Sequence, residues 1–396
     1  MINKTLLVLQ KFGEKMVYDK VALLNHVNKI RREIGHEAVQ IDIREVLFDR
    51  DTYEMWIITN DRPDKSAIIG KGGWVVGRLR EELGIESIHV ESYSDFLQKE
   101  YRMNLSLDRL DSFVKGNDLD NGSFLALNNL IDILKIKLDK LYSFNFHKYF
   151  KDLDESPYNY FEAQNHTAVV ALSGGTDSSF SLILAKKLGF NPVAVTVDPG
   201  TIVLPKQFKY NIDKLTKDLD VRHEYIEVDY SNLIEESFTG RFHPCGRCSK
   251  IIEETVYGYA IDNDIPMVIF GDMLATGSQC ITEQIVNVGG SDIDGDLDES
   301  HGNDLSDLDN NTNIHKIIRL NLPASLSVSK LENKSLTMHY NLNKFKGFGC
   351  PLLYEVHKKF PHMKRYSIQR ILRETRSGAL EPGEALDLIW SFYNTD

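Results

Sequence analysis

The sequence predicts an α/β protein with a doubly wound parallel sheet as its main domain and a smaller α+β domain before it. Three observations favour this fold class. Apolar runs of strand length alternate with helical segments from Thr167 onward. A glycine-rich turn separates the first of these strands from the helix after it. The first hundred residues follow a different order, with two strands in succession. The 396 residues leave room for two or three domains.

The first hundred residues predict a small module with the order α-β-β-α-α-β. Its elements are helix 21–34, strands 39–48 and 54–59, a short helix ending at residue 69, helix 74–83 and strand 87–91. The loop between the paired helices reads Gly70-Lys71-Gly72-Gly73, and Arg78 and Arg80 add positive charge after it. This order is similar to a type II KH domain, whose GxxG loop grips the backbone of single-stranded nucleotides. The resemblance implies that Gly70, Lys71, Gly72 and Gly73 bind RNA. The alternative is a glycine-rich helix–helix turn in a regulatory module.

The remaining organisation is predicted from periodicity and composition. Residues 124–148 have the spacing of one long amphipathic helix that joins two domains, and the polar stretch 151–165 leads into the next domain. The expected domains are a KH-like domain over 1–100, a helical linker over 101–165, a main domain over 166–340 and a basic helical region over 341–396. An acidic insertion over 287–313 interrupts the main domain.

The main domain contains four clear strand patterns, at 167–172, 192–197, 222–228 and 266–270, with another near 314–320. In open parallel sheets, ligands bind outside the carboxyl ends of the strands. Three polar, glycine-containing segments follow strands here. They are Ser173 to Ser178, Asp198-Pro199-Gly200 and Gly271-Asp272.

The segment from Ala171 to Ser178 reads ALSGGTDS and predicts a site for phosphate groups. Glycines allow close approach of the backbone, and the N–H groups and dipole of the following helix favour an anion. Asp177 is an acid in a phosphate site, which is reasonable if it holds Mg²⁺. No Gly-Lys-Ser/Thr follows, so the pattern is not Walker A. The alternative is a glycine turn in an ordinary strand–turn–helix unit.

This loop resembles the SGGxDS loop of the N-type ATP pyrophosphatases, the PP-loop family. Those enzymes cleave ATP between the α and β phosphates and adenylate an oxygen of the substrate. The resemblance implies that ATP and Mg²⁺ are bound here, with Asp177 as a catalytic residue. The nucleotide-binding residues that it implies are Ser173, Gly174, Gly175, Thr176, Asp177, Ser178, Val197, Asp198, Gly271 and Asp272.

The four cysteines suggest metal or sulfur chemistry rather than disulfides. Cys245 and Cys248 form a CxxC ahead of a helix, and Cys350 precedes a proline. The arrangement resembles the iron–sulfur branch of the PP-loop family, the tRNA 2-thiocytidine and 2-thiouridine synthetases. It implies that Cys245, Cys248 and Cys350 hold a [4Fe–4S] cluster with one iron open for sulfur. Structural Zn²⁺ on all four thiolates, or no metal, are the alternatives. For Cys280 three roles stay open: a catalytic persulfide carrier, a fourth ligand or an inert buried thiol.

Two departures from that branch leave the substrate subgroup open. The zinc-binding CxxC pairs that the 2-thiouridine enzymes usually carry at their ends are missing from this sequence. The later GHxxDD-type segment appears only as Gly271-Asp272-Met273-Leu274-Ala275-Thr276-Gly277.

The resemblance implies an ATP-dependent tRNA sulfurtransferase. Adenylation makes a pyrimidine carbonyl oxygen a good leaving group, and sulfur then displaces AMP from the ring carbon. Rival interpretations are a PP-loop ligase acting on a small molecule, an enzyme that inserts sulfur into a cofactor, and a non-enzymatic RNA-binding regulator. The expected partners are tRNA and a sulfur donor, and a homodimer is a possible assembly.

The net charge of −12 is unevenly distributed along the chain. Eight acids and no Lys or Arg fall in 287–313, a pattern that favours a solvated insertion, because the glycine position does not fit a calcium-binding EF-hand. Residues 343–376 hold nine Lys or Arg against two Glu. Such a segment can neutralise RNA phosphates, although a solvated helix face is the simpler alternative. Its candidate RNA-binding residues are Lys344, Lys346, Lys358, Lys359, Lys364, Arg365, Arg370 and Arg373.

The sequence also predicts a cytoplasmic location without a membrane partner. No run of about 18 apolar residues is present, and residues 1–5 lack the pattern of a secretory signal. Four cysteines in a chain of this length do not make a disulfide framework, which fits a reducing compartment.

Overall fold

The computed structural model describes residues 10–12, 15–17, 19–50, 52–154, 167–274, 277–287, 314–342 and 348–393. The chain divides into two compact units. The N-terminal unit comprises Met1–Tyr101 and Leu138–Phe144, and the C-terminal unit comprises Arg102–Lys137 and Asn145–Asp396. None of the helices in the described ranges is both long and apolar enough to cross a membrane.

The N-terminal unit is built on a three-stranded sheet in the order β3-β4-β5. Its elements are β1 (Gln10–Phe12), β2 (Lys15–Val17), α1 (Lys20–Glu33), β3 (Ile43–Asp49), β4 (Glu54–Thr59), α2 (Arg62–Ile69), α3 (Trp74–Leu83) and β5 (Ser87–Ser92). β3 and β4 pair antiparallel, whereas β4 and β5 are parallel and are joined through α2 and α3. The core contains Val27, Ile57 and Leu79, one from α1, one from the sheet and one from α3. The predicted order of elements in this segment is confirmed.

Three helices follow: α4 (Tyr93–Gly116), α5 (Asn121–Asp139) and α6 (Phe146–Asp154). The prediction of one helix over 124–148 is therefore wrong. The amides of Ser143 and Phe144 both donate to the carbonyl of Lys140, which turns the chain. The Asn145 side chain then accepts a hydrogen bond from the amide of Lys148 at 3.0 Å. Because Asn is a strong helix-capping residue, it starts a second helix where the apolar spacing alone suggested continuation.

The C-terminal unit contains a six-stranded sheet in the order β10-β11-β9-β6-β7-β8. Its strands are β6 (Thr167–Ala171), β7 (Asn191–Asp198), β8 (Arg222–Glu227), β9 (Met267–Phe270), β10 (Ile281–Asn287) and β11 (Ile314–Asn321). Its helices between strands are α7 (Thr176–Leu188), α8 (Lys206–Asp218), α9 (Ser231–Ser237) and α10 (Pro244–Asp262). β10 pairs antiparallel with β11, and every other pairing is parallel.

This architecture confirms the doubly wound α/β fold class. From β6 the chain adds β7 and β8 on one side and then crosses to β9 on the other. Such a reversal opens a crevice at the carboxyl ends of the two central strands, here β6 and β9. Val169, Val195 and Val268 face α10, while their neighbours Ala168, Val170 and Ala194 are buried on the other face. The edge strand β10 was not predicted, and the acidic stretch 288–313 that follows it lies outside the described residues.

After β11 the described chain contains five α-helices: α11 (Leu322–Ser325), α12 (Lys330–Thr337), α13 (Pro351–Lys359), α14 (Lys364–Arg376) and α15 (Pro382–Ser391). The helix α12 starts at a capping box, in which Ser329 and Glu332 each hydrogen-bond the other's backbone amide. It packs against α7, the helix that follows the glycine loop. This packing brings α12 side chains to the crevice between β6 and β9.

Candidate nucleotide and thiol sites

The glycine loop lies between β6 and α7 and is closed by serine hydroxyls. The amide of Ser173 donates to Oγ of Ser178 at 3.1 Å, and the two hydroxyls lie 3.0 Å apart. Helix α7 begins after Gly175, and no side chain caps its first turn. The first amides of a helix have no partner inside the helix, so those of α7 are available to an anion.

Two glycines at this loop are required by close packing. Gly174 has φ +73°, and a Cβ at this position would lie 2.6 Å from the carbonyl oxygen of Phe208. A Cβ on Gly271, at the end of β9, would lie 2.9 Å from the amide nitrogen of Ser178. The loop after β6 therefore lies against α8, and the end of β9 lies against the first turn of α7, each more closely than a residue with a side chain allows.

Replacing Gly174 with Ala is expected to lower the free energy of unfolding by about 2–4 kcal/mol, because it adds left-handed strain to a backbone clash. Gly258→Ala in α10 is the matched control. A Cβ there meets nothing within 4 Å, so the control should gain about 0.5–1 kcal/mol from helix propensity. Urea unfolding of both variants measures the difference, and equal stabilities would contradict the tight packing of the loop.

Asp177, in the first turn of α7, is held by two side chains of α12. The Lys330 ammonium forms an ion pair with Oδ2, and Nδ2 of Asn333 donates to Oδ1 at 2.9 Å. Lys330 Nζ also lies 3.7 Å from Oε2 of Glu374, whose other oxygen accepts from Arg370 at 3.3 Å. Lys330, Asn333 and Glu374 are not predicted as site residues by the sequence. Nothing in the local pattern of α12 or α14 indicates that either helix reaches the glycine loop.

The residues expected near adenosine lie along the same sheet edge. Val197 is buried in the core, so only its backbone faces this edge. Asp198 forms an ion pair with Lys209 and accepts from the amide of Gly200 at 3.1 Å. Asp272 accepts from the amide of Leu274 at 2.8 Å.

The predicted cluster ligands lie at the starts of two helices. Cys245 is the second residue of α10 and Cys248 the fifth, and Cys350 is the N-cap of α13. All three are partly buried, and Cys248 and Cys350 pack in one apolar cluster around Tyr230 and Val356. Leu352, two residues after Cys350, donates its amide hydrogen to the carbonyl oxygen of Ile202 in the loop after β7. The thiols are thus held beside the carboxyl ends of β7 and β8.

The three thiols act on one another electrostatically. Burial raises the pKa of Cys245 to about 12, the neighbouring Cys350 and Cys248 raise it too, and Arg370 opposes the rise. Burial also raises the pKa of Cys248 and of Cys350. For Cys350, backbone amides at the start of α13 oppose the rise. Bringing three thiolates together here therefore needs a compensating positive charge, such as a bound metal or cluster. In the described residues, no three His, Cys, Asp or Glu side chains form a group that could hold a single metal ion.

A chain of hydrogen bonds ties the CxxC segment to the C-terminal helices. Nδ1 of His243 accepts from the amide of Cys245 at 3.4 Å, so the proton of this imidazole is on Nε2. That nitrogen lies 3.2 Å from Oγ of Ser367, which lies 3.1 Å from Nε2 of His357. Since His243 donates to Oγ of Ser367, the Ser367 hydroxyl donates its own hydrogen to Nε2 of His357. The imidazoles of His243 and His357 are both neutral in this arrangement. This chain holds α10, α13 and α14 in one arrangement, and His243 serves as the N-cap of α10.

This chain of hydrogen bonds predicts that the stability of the fold falls at acid pH. Burial lowers the pKa of His357 from 6.5 to about 4, with His243 and Lys364 acting in the same direction. Between these values the unfolded chain binds a proton that the folded chain does not, so stability falls as the pH falls. The loss should be on the order of 2 kcal/mol between about pH 6.5 and pH 4. His357→Gln removes this contribution, and urea unfolding should show a flatter pH dependence for the variant. Parallel curves would contradict the assignment.

Cys280 has a different environment from the other cysteines. It is fully buried, its Sγ lies 3.9 Å from the carbonyl oxygen of Ser106, and it also bonds with Ser325. Burial raises its pKa. The persulfide role stays a prediction, and this burial favours the inert thiol.

In the N-terminal unit, the glycine loop forms one 3-10 turn between α2 and α3. A Cβ on Gly70 would lie 2.3 Å from Cγ2 of Val75, whereas Gly72 and Gly73 have positive φ and open space around them. Arg78 pairs with Glu82 at 2.8 Å, so its charge is already neutralised within α3. Of the charges expected here, Arg78 is therefore a poor candidate for a phosphate contact.

The candidate basic residues of the C-terminal region are partly engaged in intramolecular contacts. Lys359 donates to the carbonyl of Phe238 at 3.4 Å, and Lys364 donates to that of Phe392 at 2.5 Å. The Arg365 guanidinium lies over the ring of Tyr366. Lys344 and Lys346 lie outside the described residues.

Comparisons with known proteins give one clear relationship. No family model matches the chain. It is 32% identical over 229 residues to the uncharacterized protein MJ1638 of Methanocaldococcus jannaschii. The matched region covers 57% of this chain and 75% of that protein. It is 31% identical over 141 residues to the uncharacterized protein MJ1599 of the same organism, covering 35% of this chain and 50% of that protein.

Two solved structures are distantly similar. One is the U34-tRNA thiolase NcsA from Methanococcus maripaludis with its [4Fe-4S] cluster, at 13% identity and a TM-score of 0.34, covering 62% of this chain and 78% of that one. The other is NMN synthetase from Francisella tularensis, at 16% identity and a TM-score of 0.32, covering 63% and 91%. Similarities this weak do not assign a function.

Proposed function

The chain belongs to the family of the uncharacterized protein MJ1638 of Methanocaldococcus jannaschii, and we propose that its activity is ATP-dependent transfer of sulfur to a pyrimidine of tRNA. One observation carries the proposal. The glycine loop with Asp177 follows β6, and the three half-buried thiols lie by the loops after β7 and β8. Because these strands are parallel, both groups belong to the same edge of one sheet.

The nucleotide half of the site fits adenylation. In the proposal, the phosphates of ATP bind at the uncapped amides of α7, beside the Lys330 ammonium, and these groups stabilise the negative charge that develops on the leaving pyrophosphate. In the proposed first step, a pyrimidine carbonyl oxygen attacks the α-phosphorus of ATP and pyrophosphate leaves. In the second step, sulfide attacks the ring carbon and AMP leaves with the oxygen.

The thiol half fits a cluster by its donor set. Cys245, Cys248 and Cys350 supply three sulfur ligands on rigid helix starts, and apolar side chains around Tyr230 exclude water from one side. A cluster accepts thiolates spaced more widely than a single ion does, because each thiolate binds a different iron. A bound [4Fe–4S] cluster would supply an open iron for the incoming sulfur. The chain's own part is to hold the three thiolates, and Arg370 favours the thiolate form of Cys245.

Binding of tRNA is assigned to the glycine loop of the N-terminal unit, as in the KH-like interpretation. Gly72→Asp is expected to weaken tRNA binding about tenfold, because it places a negative charge where the loop is open to a phosphate. Gly35→Asp is the matched control, since Gly35 also has positive φ and open space. Filter binding measures the affinity of both variants for tRNA. At saturating tRNA, ATP–pyrophosphate exchange should be unchanged in each variant, and equal tRNA affinities would remove the KH-like interpretation.

The proposed activity is tested by incubating the protein, purified without oxygen, with ATP, Mg²⁺, sulfide and unmodified tRNA. Nucleoside mass spectrometry should find a pyrimidine in which sulfur replaces oxygen, and AMP and pyrophosphate should form in step with it. Adenylation of a small acid without any need for RNA would favour a ligase instead.

A further inference from the structure

The side chain expected to hold Mg²⁺ already carries a cation of the chain itself. Lys330 and Asn333 of α12 occupy both oxygens of the Asp177 carboxylate. We propose that Lys330 is a built-in counter-ion that the Mg²⁺–nucleotide displaces from Asp177 and that then neutralises the phosphates. The inference rests on the nucleotide-binding part of the proposed function and deepens it.

The buried amide of Asn333 is the second observation that points to a ligand. Asn333 is fully buried, and Nδ2 is used by Asp177 and by Sδ of Met273 at 3.2 Å. Its Oδ1 is buried without a hydrogen-bond partner in the structure. A buried carbonyl oxygen left unpaired costs free energy, so it is expected to accept a donor when the site is filled. Mg²⁺ usually keeps several water ligands, and one of these can donate to Oδ1.

Glu374 gives the displaced ammonium a second partner. Its carboxylate is buried, lies 3.7 Å from Nζ of Lys330 and is also bound by Arg370. Lys330 can therefore leave Asp177 without becoming an unpaired charge, which would be costly at this depth. Lys330 therefore has an anionic partner both on Asp177 and after it leaves Asp177.

This arrangement predicts opposite effects of one substitution. Without the ammonium on Asp177, a divalent cation binds more easily, because it no longer competes with another positive charge. Nucleotide affinity falls, because the phosphates lose a cationic partner. Lys330→Gln should therefore bind Mn²⁺ about fivefold more tightly in the absence of nucleotide and bind ATP about fivefold more weakly at saturating Mn²⁺. If Lys330 had only a structural role, the substitution would weaken the binding of both Mn²⁺ and ATP.

The experiment is a titration of the full chain with Mn²⁺, followed by electron paramagnetic resonance of the free ion, with and without ATP. Lys334→Gln is the matched control: it lies one turn further along α12 and pairs with Glu384 at 2.7 Å on the surface. It should leave both affinities unchanged. Unchanged or weaker Mn²⁺ binding by Lys330→Gln would overturn the counter-ion role.

Failure of the proposed function gives a different pattern. Asp177→Asn should lose the Mn²⁺ site in the same titration, and if it does not, Asp177 holds no divalent cation at all. The titration needs neither tRNA nor sulfur, so a chain that adenylates some other substrate can still behave as predicted for Lys330.

Discussion

Replacing Asp177 with Asn is expected to lower ATP–pyrophosphate exchange at least a thousandfold. The carboxylate is the only charged side chain between residues 171 and 178, in the segment that forms the glycine loop and the start of α7. Asn keeps the shape of the side chain but does not hold Mg²⁺ with a full negative charge. Losing a metal that neutralises the leaving pyrophosphate removes several kcal/mol of transition-state stabilisation.

The same substitution should leave the fold and tRNA binding unchanged. The amide oxygen of the substituted side chain can still accept a hydrogen bond, and Lys330 retains Glu374 as a partner. Asp218→Asn is a control on α8, where the acid pairs with Lys214 at the surface, and its exchange rate should stay near that of the unmodified protein. Pyrophosphate exchange in the presence of tRNA measures both variants. Full exchange by Asp177→Asn would contradict the assignment of this loop as the ATP site.

The glycine loop could be predicted because its information is local: strand, turn and helix start are adjacent in the sequence. The side chains that hold Asp177 could not be predicted, because Lys330 lies 153 residues from Asp177 in the sequence and Asn333 lies 156 residues from it. Their position depends on how α12 packs against α7, which no short-range pattern specifies. The break after α5 was missed for a different reason, since the capping by Asn145 outweighed a continuous apolar spacing.

The edge strand β10 was also missed, although its register with β11 is regular from Ile281 to Asn287. Its partner follows a long acidic stretch, so there is no short turn from which a hairpin can be recognised. The sequence leaves three roles open for Cys280 for a related reason. Its burial beneath α4 depends on contacts with Ser106, which lies 174 residues earlier.

Replacing Cys350 with Ser is expected to remove the proposed cluster, so that iron falls from about four per chain to well below one. Ser is a strong N-cap residue, and Cys350 is the N-cap of α13, so the helix should be retained. The loss then reports on the missing sulfur ligand rather than on unfolding. Iron, acid-labile sulfide and zinc are measured on protein purified without oxygen.

Cys280→Ser is the control that separates the two metal interpretations. In the cluster interpretation it keeps its iron, because Cys280 has its own buried contacts with Ser106 and Ser325. In the four-thiolate zinc interpretation, Cys280→Ser and Cys350→Ser lose zinc alike, and iron is absent from the unmodified protein. Such a result would contradict the proposed sulfur transfer at a cluster. It would not contradict the proposed ATP site at Asp177, because α7 and α13 carry the two sites separately.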